Sequence, residues 1–248
     1  MTQPTPPESP LPESPLHGPG VVPAGKAPTS LVIFLHGYGS NGDDLISLAP
    51  YFQAALPDAA YLAPNAPQEC PGAPDGYQWW PIVTLSREER AYGAYMAAPT
   101  VHAFIDTMLA RFNLTDDRLV LVGFSQGTMM ALEVGLRRER AVAGIIGYSG
   151  MIADETRLEA EIRSRPPVLL VHGQEDTVLP VSHFHDAKAA LERLAVPLTT
   201  HVSPGLGHSI DPAGLALGVD FLKRVLPGPK TWSSTGGTVR ISPPGTMQ

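Results

Sequence analysis

The β-branched run RLVLV (118–122) leads without a break into Gly123-Phe124-Ser125-Gln126-Gly127, and the helix-forming stretch TMMALEVGL (128–136) follows at once. Strand, sharp turn and helix must therefore succeed one another within a few residues. A serine at the apex of so tight a turn takes a strained backbone conformation, so the positions two before and two after it press on neighbouring chain and accept only small residues. Gly123 and Gly127 satisfy that demand. The letters G-x-S-x-G alone are weak evidence, and the strand before and helix after are what make them informative.

The same kind of strand recurs along the chain. Apolar runs of strand length, bounded by Gly and Pro, begin at Ser30 (SLVIFLHG), Ala59 (AAYLAP), Arg118 (RLVLVGF), Val142 (VAGIIGYSG), Pro167 (PVLLVHG) and Leu198 (LTTHVSPG). Between them lie helical patterns. Val101, Phe104, Ile105, Met108, Leu109 and Phe112 share one helical face, as do Leu215, Val219, Leu222 and Leu226, and Asp211-Pro212 reads as the N-cap and first residue of the latter helix. Near-continuous apolar strands alternating with helices predict an α/β fold with a mostly parallel central sheet and helices on both faces. One stretch breaks the alternation. From Asn65 to about Glu89 there are turn residues, the pair Trp79-Trp80 and no clean period. A long loop leaving the carboxyl end of a strand in such a sheet is expected to wall or partly cover a pocket.

At 248 residues the chain suits one domain with tails. Residues 1–28 carry nine prolines and almost no large apolar residue, too little to offset the entropy of ordering, and predict an unstructured arm. The folded domain is expected over 29–226. Residues 227–248, rich in Pro, Gly, Ser and Thr, read as a tail. The start MTQPTPPESP lacks the charge and apolar block of a secretory signal, so a cytoplasmic location is expected. The lone Cys70 excludes an internal disulfide. No apolar stretch is long enough for a membrane-spanning helix. With a formal net charge of −7 and one basic cluster, Arg137, Arg138 and Arg140, the chain carries no footprint for nucleic acid. Those arginines suit a helix end, where the dipole favours cations.

A serine hydroxyl attacks only when a base takes its proton, and histidine needs a carboxylate to fix its tautomer and stabilise the imidazolium. In a sheet with this turn, acid and then histidine follow the serine in sequence. Asp176 comes directly after the run PVLLVHGQE, at a strand edge on the serine's side of the sheet. Glu175 and Asp186 compete for that role, the former pointing elsewhere and the latter within a helical pattern. His208 lies in the Gly-rich loop SPGLGHSIDP, again after a strand and before a helix. His36 and His172 precede glycines at strand ends, where backbone positioning is the expected task. His183 and His185 make too small a ligand set for a metal, and neither metal nor cofactor is expected. Charge developing on a carbonyl oxygen requires donors. One is the backbone N–H of Gln126, at the positive end of the following helix, and the second is assigned to the N–H of Tyr38 in the turn LHGYGS after the first strand.

With these residues in hand, the chain resembles the phospholipase/carboxylesterase family of α/β-hydrolases, which includes acyl-protein thioesterases and bacterial carboxylesterases. The likeness runs from about Ser30 to Leu226. It rests on FLHGYGSNGDDL, YLAPNAP, the QWW segment, GFSQG, HGQEDTVLP and GLGHSI. It implies an α/β-hydrolase fold with Ser125 as nucleophile, Asp176 as acid, His208 as base and the amides of Tyr38 and Gln126 as the oxyanion hole. Trp79, Trp80, Met151 and Ile152 look like walls of an apolar acyl pocket, to which Val178 and Leu179, beside the acid, are also assigned. The expected activity is hydrolysis of short- to medium-chain carboxylic esters through an acyl-enzyme. Thioester or lysophospholipid cleavage is the runner-up, acyl transfer to an alcohol is compatible with the same residues, and a non-catalytic binding scaffold is disfavoured by the intact trio. The expected partner is a small ester or acyl substrate, with a homodimer left open.

Overall fold

The computed structural model describes residues 14–226. The tail expected over 227–248 lies outside the described residues. The six strands read from sequence are all present: β2 (Ser30–Leu35), β3 (Ala59–Leu62), β6 (Leu119–Phe124), β7 (Gly144–Tyr148), β8 (Val168–Gly173) and β9 (Leu198–Ser203). With β1 (Gly20–Val21) they form a seven-stranded sheet in the order β1-β3-β2-β6-β7-β8-β9, parallel throughout except for β1, which pairs antiparallel with β3.

Alternate residues of each strand point to opposite faces, and both faces are covered. Leu31, Ile33 and Leu35 of β2 and Leu119 and Leu121 of β6 pack beneath α3 (Arg87–Phe112), α4 (Gln126–Gly135) and α6 (Ser182–Arg193). Val32, Phe34, Val120 and Val122 face the other way, toward α1 (Gly42–Ile46), α2 (Ala49–Gln53) and α7 (Pro212–Val225). The remaining helix, α5 (Glu155–Glu161), adds Leu158 to the first layer. Two-sided burial is why the strands read as unbroken apolar runs. Capping follows the sequence: Asp211 accepts from the Gly214 amide at the start of α7, and Arg137 donates to the Glu133 carbonyl in the last turn of α4.

The arm expected over residues 1–28 does not hold as unstructured for its described part, residues 14–28. Leu16 is buried in the core, Gly20 and Val21 form the edge strand, and the His17 and Pro19 carbonyls accept from the Asn65 and Ala63 amides. Proline is compatible with this because an edge strand leaves one side of its backbone unpaired. The irregular stretch from Asn65 also carries structure. Within it β4 (Gln68–Glu69) and β5 (Tyr77–Gln78) pair antiparallel, and α3 begins at Arg87 with Ser86 accepting from the Glu89 amide.

Strand β3 lies on one side of β2 and β6 on the other, so the winding direction reverses between β2 and β6. In open parallel sheets, ligands bind beyond the strand carboxyl ends at such a reversal. The turn carrying Tyr38 and the turn carrying Ser125 leave the sheet there, side by side.

Candidate active site

Ser125 holds φ 54° and ψ −117°, a left-handed conformation unusual for a residue with a side chain. Its amide is anchored to the Tyr148 carbonyl at 2.9 Å. A Cβ on Gly123 would overlap the Gly127 carbonyl, and one on Gly127 would overlap the Leu35 carbonyl, so glycine at both positions is what lets the turn close. The serine is left partly exposed where α4 begins.

Its hydroxyl meets His208. The His208 Nε2 lies 3.0 Å from Ser125 Oγ, and the opposite ring nitrogen, Nδ1, lies 2.7 Å from Asp176 Oδ2. Asp176 cannot accept from His208 unless Nδ1 carries the proton, which leaves Nε2 free to accept from the serine. Asp176 is 5% exposed, and its second oxygen, Oδ1, accepts from the Val178 and Leu179 amides at 2.9 and 2.8 Å. Those bonds hold the carboxylate in a turn just beyond β8. His172 stands behind it, donating from Nε2 to the Leu179 carbonyl at 2.8 Å with Asp176 Oδ2 at 3.4 Å, and burial holds its pKa below the usual histidine value. Of the competing acids, Glu175 and Asp186 are both exposed, the latter on α6.

The loop bearing His208 is pinned to the loop after β8. The Glu175 amide donates to the Leu206 carbonyl at 2.8 Å and the Gln174 amide to the Ser203 carbonyl at 3.0 Å, while Ser149, just after β7, donates from Oγ to the Ser209 carbonyl at 3.2 Å. Acid and imidazole, 32 residues apart in sequence, are thus carried by two neighbouring loops tied to each other. The arrangement can draw the serine proton toward an imidazole whose developing charge faces a buried carboxylate.

The Gln126 amide begins α4 directly after the serine, and the Tyr38 amide lies in the adjacent turn. Among the described residues neither donates to another protein group. The turns touch through the Gly127 contact with Leu35 and His36 and through Gly37, where a Cβ would come 3.3 Å from the Ser125 Cβ. His36 performs the backbone task expected of it. Its Nδ1 donates to the Gly37 carbonyl, its Nε2 accepts from the Ala66 amide at 2.9 Å, and burial lowers its pKa.

The residues expected to wall a pocket are not gathered in one place. Trp79 and Trp80 border a cavity of about 570 Å³ shared with Pro67, Tyr92 and Met96, on the side of α3. Gly93 of α3 makes room there, since a Cβ would overlap the Trp80 ring. Met151, Ile152, Val178 and Leu179 do not border that cavity. Met151, Ile152 and Leu179 are buried in the core, and Val178 is 60% exposed. A smaller recess of about 200 Å³ reaches His208 and Phe124 instead, with Leu45, Leu48 and Ile210 around it. Sequence reading missed the Gln126 side chain, which is fully buried and bonds to both tryptophan residues' backbones. Its only signal was a polar residue at the first position of an otherwise apolar helix.

A mostly parallel sheet with a glycine-flanked serine turn at its winding reversal defines an α/β-hydrolase fold. The chain belongs to the phospholipase/carboxylesterase family, whose model matches residues 16–226. Among solved structures, that of esterase PE8 is 43% identical with a TM-score of 0.82, covering 85% of this chain and 99% of that one. Acyl-protein thioesterase 1 of Gibberella zeae is 28% identical over 227 residues, covering 84% of this chain and 96% of the thioesterase. Esterase YpfH of Escherichia coli is 26% identical over 203 residues, covering 82% and 85% respectively.

Proposed function

We propose that the protein is a serine carboxylesterase that hydrolyses short- to medium-chain carboxylic esters through an acyl-enzyme, with Ser125 as nucleophile, His208 as base and Asp176 as the acid that orients it. The observation that carries this reading is the hydrogen-bonded chain from Ser125 Oγ through His208 to Asp176, with bonds of 3.0 and 2.7 Å. Ser125 Oγ attacks the ester carbonyl while His208 Nε2 takes its proton, and Asp176 stabilises the imidazolium. The carbonyl oxygen, now negative, accepts from the amides of Gln126 and Tyr38. Collapse of the tetrahedral adduct breaks the bond to the alcohol oxygen, which leaves with the proton from Nε2. Water then enters, gives its proton to Nε2 and attacks the acyl carbon, releasing the carboxylic acid and restoring the serine.

The 570 Å³ cavity beside Trp79 and Trp80 and the recess at His208 are each of a size for modest groups. The recess that borders His208 is the one at the reacting groups, and its size supports a small substrate portion there. Replacing Ser125 by Ala is expected to abolish turnover of p-nitrophenyl acetate and butyrate with the fold intact, and wild-type turnover by that variant would overturn the reading. A second reading, thioester cleavage, is favoured by the likeness to the Gibberella zeae thioesterase. Comparing p-nitrophenyl butyrate with a palmitoyl thioester on one preparation separates the two.

A further inference from the structure

Tyr77, Gln78, Trp79 and Trp80 run across both turns that carry the amides assigned to the oxyanion. On the first turn, the Gly39 amide donates to the Tyr77 carbonyl at 2.9 Å, the Tyr77 amide donates to the Ser40 carbonyl at 2.7 Å, and the Trp79 indole Nε1 donates to the His36 carbonyl at 2.9 Å. On the second, the Trp79 amide donates to Gln126 Oε1 at 3.0 Å and Gln126 Nε2 donates to the Trp80 carbonyl at 2.9 Å. Trp79 is 1% exposed and its ring lies against the His36 imidazole, with centroids 5.5 Å apart. Tyr38 is thus flanked by anchored residues at 36, 39 and 40. The residue that supplies the other donor, Gln126, is held by its own side chain to the same segment.

Such bonds serve no purpose peculiar to an acyl wall. They tie together two backbone donors carried by the turns after different strands, β2 and β6, and add to the pairing of those strands and to the contacts at Gly37 and Gly127. Stabilisation of a tetrahedral oxyanion depends on donors lying at the position the charged oxygen will take, so a small change in their spacing acts on the transition state more than on the bound ester. We propose that residues 77–80 form a strap that sets the spacing of the two oxyanion donors, with Trp79 and the Gln126 side chain as its positioning residues. The inference rests on the esterase reading above.

Trp79→Phe keeps an aromatic, though smaller, ring and removes the indole donor, and Gln126→Met keeps the main-chain amide and removes both side-chain bonds. In folded Trp79→Phe, kcat for p-nitrophenyl butyrate is expected to fall about 10- to 100-fold with KM within about twofold, as a displacement near 1 Å can produce. Affinity for a trifluoromethyl ketone that mimics the tetrahedral adduct is expected to fall by a similar factor. Because both variants cut the same strap, the double variant should lose much less than the product of the two single losses. An unchanged kcat, or a raised KM with kcat retained, overturns the strap and returns Trp79 to the role of a wall. If Trp79→Phe does not fold, the same readouts on Gln126→Met decide. Ser125→Ala run alongside separates the two levels. An inactive Ser125→Ala with an unaffected Trp79→Phe removes the strap alone, whereas an active Ser125→Ala removes the esterase reading beneath it.

Discussion

At residue scale the site is a set of groups whose protonation and orientation are fixed by what they touch. Asp176 accepts two amides on one oxygen and His208 on the other, so its carboxylate has one orientation in which every bond is made. Changing it to Asn keeps the shape but offers His208 an N–H where an acceptor is needed, which favours the wrong tautomer. The expected loss in kcat for Asp176→Asn is about 10⁴-fold, and a loss under tenfold in p-nitrophenyl butyrate assays would move the acid role elsewhere. Three histidines outside the trio are pushed toward the neutral form. Burial lowers the pKa of His36, His102 and His172, with Arg138 adding to the effect at His102. A histidine whose folded pKa lies below its unfolded value binds more protons when the chain unfolds. Stability therefore rises with pH through the window below about 6.5 and is lost on acidification through it. Urea unfolding at pH 7.5, 6.5 and 5.5 should give midpoints that fall in that order, and His36→Gln should flatten the fall. A midpoint independent of pH over that range would refute the lowered values.

At the scale of elements, the serine turn works because two glycines let three pieces of backbone meet. Gly127→Ala sets a Cβ into the Leu35 carbonyl, a clash that no rotamer relieves. It should cost about 1–3 kcal/mol by urea titration and reduce kcat further, because it wedges β2 from α4 where the proposed oxyanion donors lie. Glu133, 4% exposed on α4, pairs with Arg137 at 2.9 Å and with Arg157 of α5, and burial raises its pKa against the pull of both cations. Glu133→Ala leaves Arg137 and Arg157 with Glu161 as their shared partner, so it is expected to destabilise by about 1–3 kcal/mol, the scale of lost hydrogen bonds to charged groups, with little change in KM. Elements with a long-range signature were legible in the sequence. The inner strands are apolar runs because both their faces are buried, the edge strand β9 (LTTHVS) is mixed and half-exposed, and the spacing of Ser125, Asp176 and His208 follows strand ends. The five-residue helices α1 and α2 carry too few residues for a period to show. The bonds of Trp79 and Gln126 join residues 46 and 47 positions apart, through backbone groups that leave no trace in side-chain pattern. Met151, Ile152 and Leu179 are buried in the core, and an apolar residue beside a site and one in the core look alike in sequence.

Across the whole molecule, one sheet brings together residues from three distant segments, and its edge depends on a stretch that composition alone assigned to an unstructured arm. Proline content was a poor guide there because Leu16 and the backbone of residues 17–21 supply anchors that an average over the arm dilutes. Leu16→Ala is expected to cost about 2–5 kcal/mol, and deleting residues 1–28 to lower the melting temperature by at least as much as that substitution. An unaltered melting temperature in the deletion would restore the boundary at residue 29. The central claim, that the geometry around residue 125 activates its hydroxyl, is tested most directly by treating the protein with a fluorophosphonate and locating the adduct by peptide mass spectrometry. The account predicts one adduct, on Ser125, formed in step with loss of esterase activity and suppressed in His208→Ala. An adduct on a different residue that tracks the loss of activity, or full activity in protein labelled at Ser125, would contradict it.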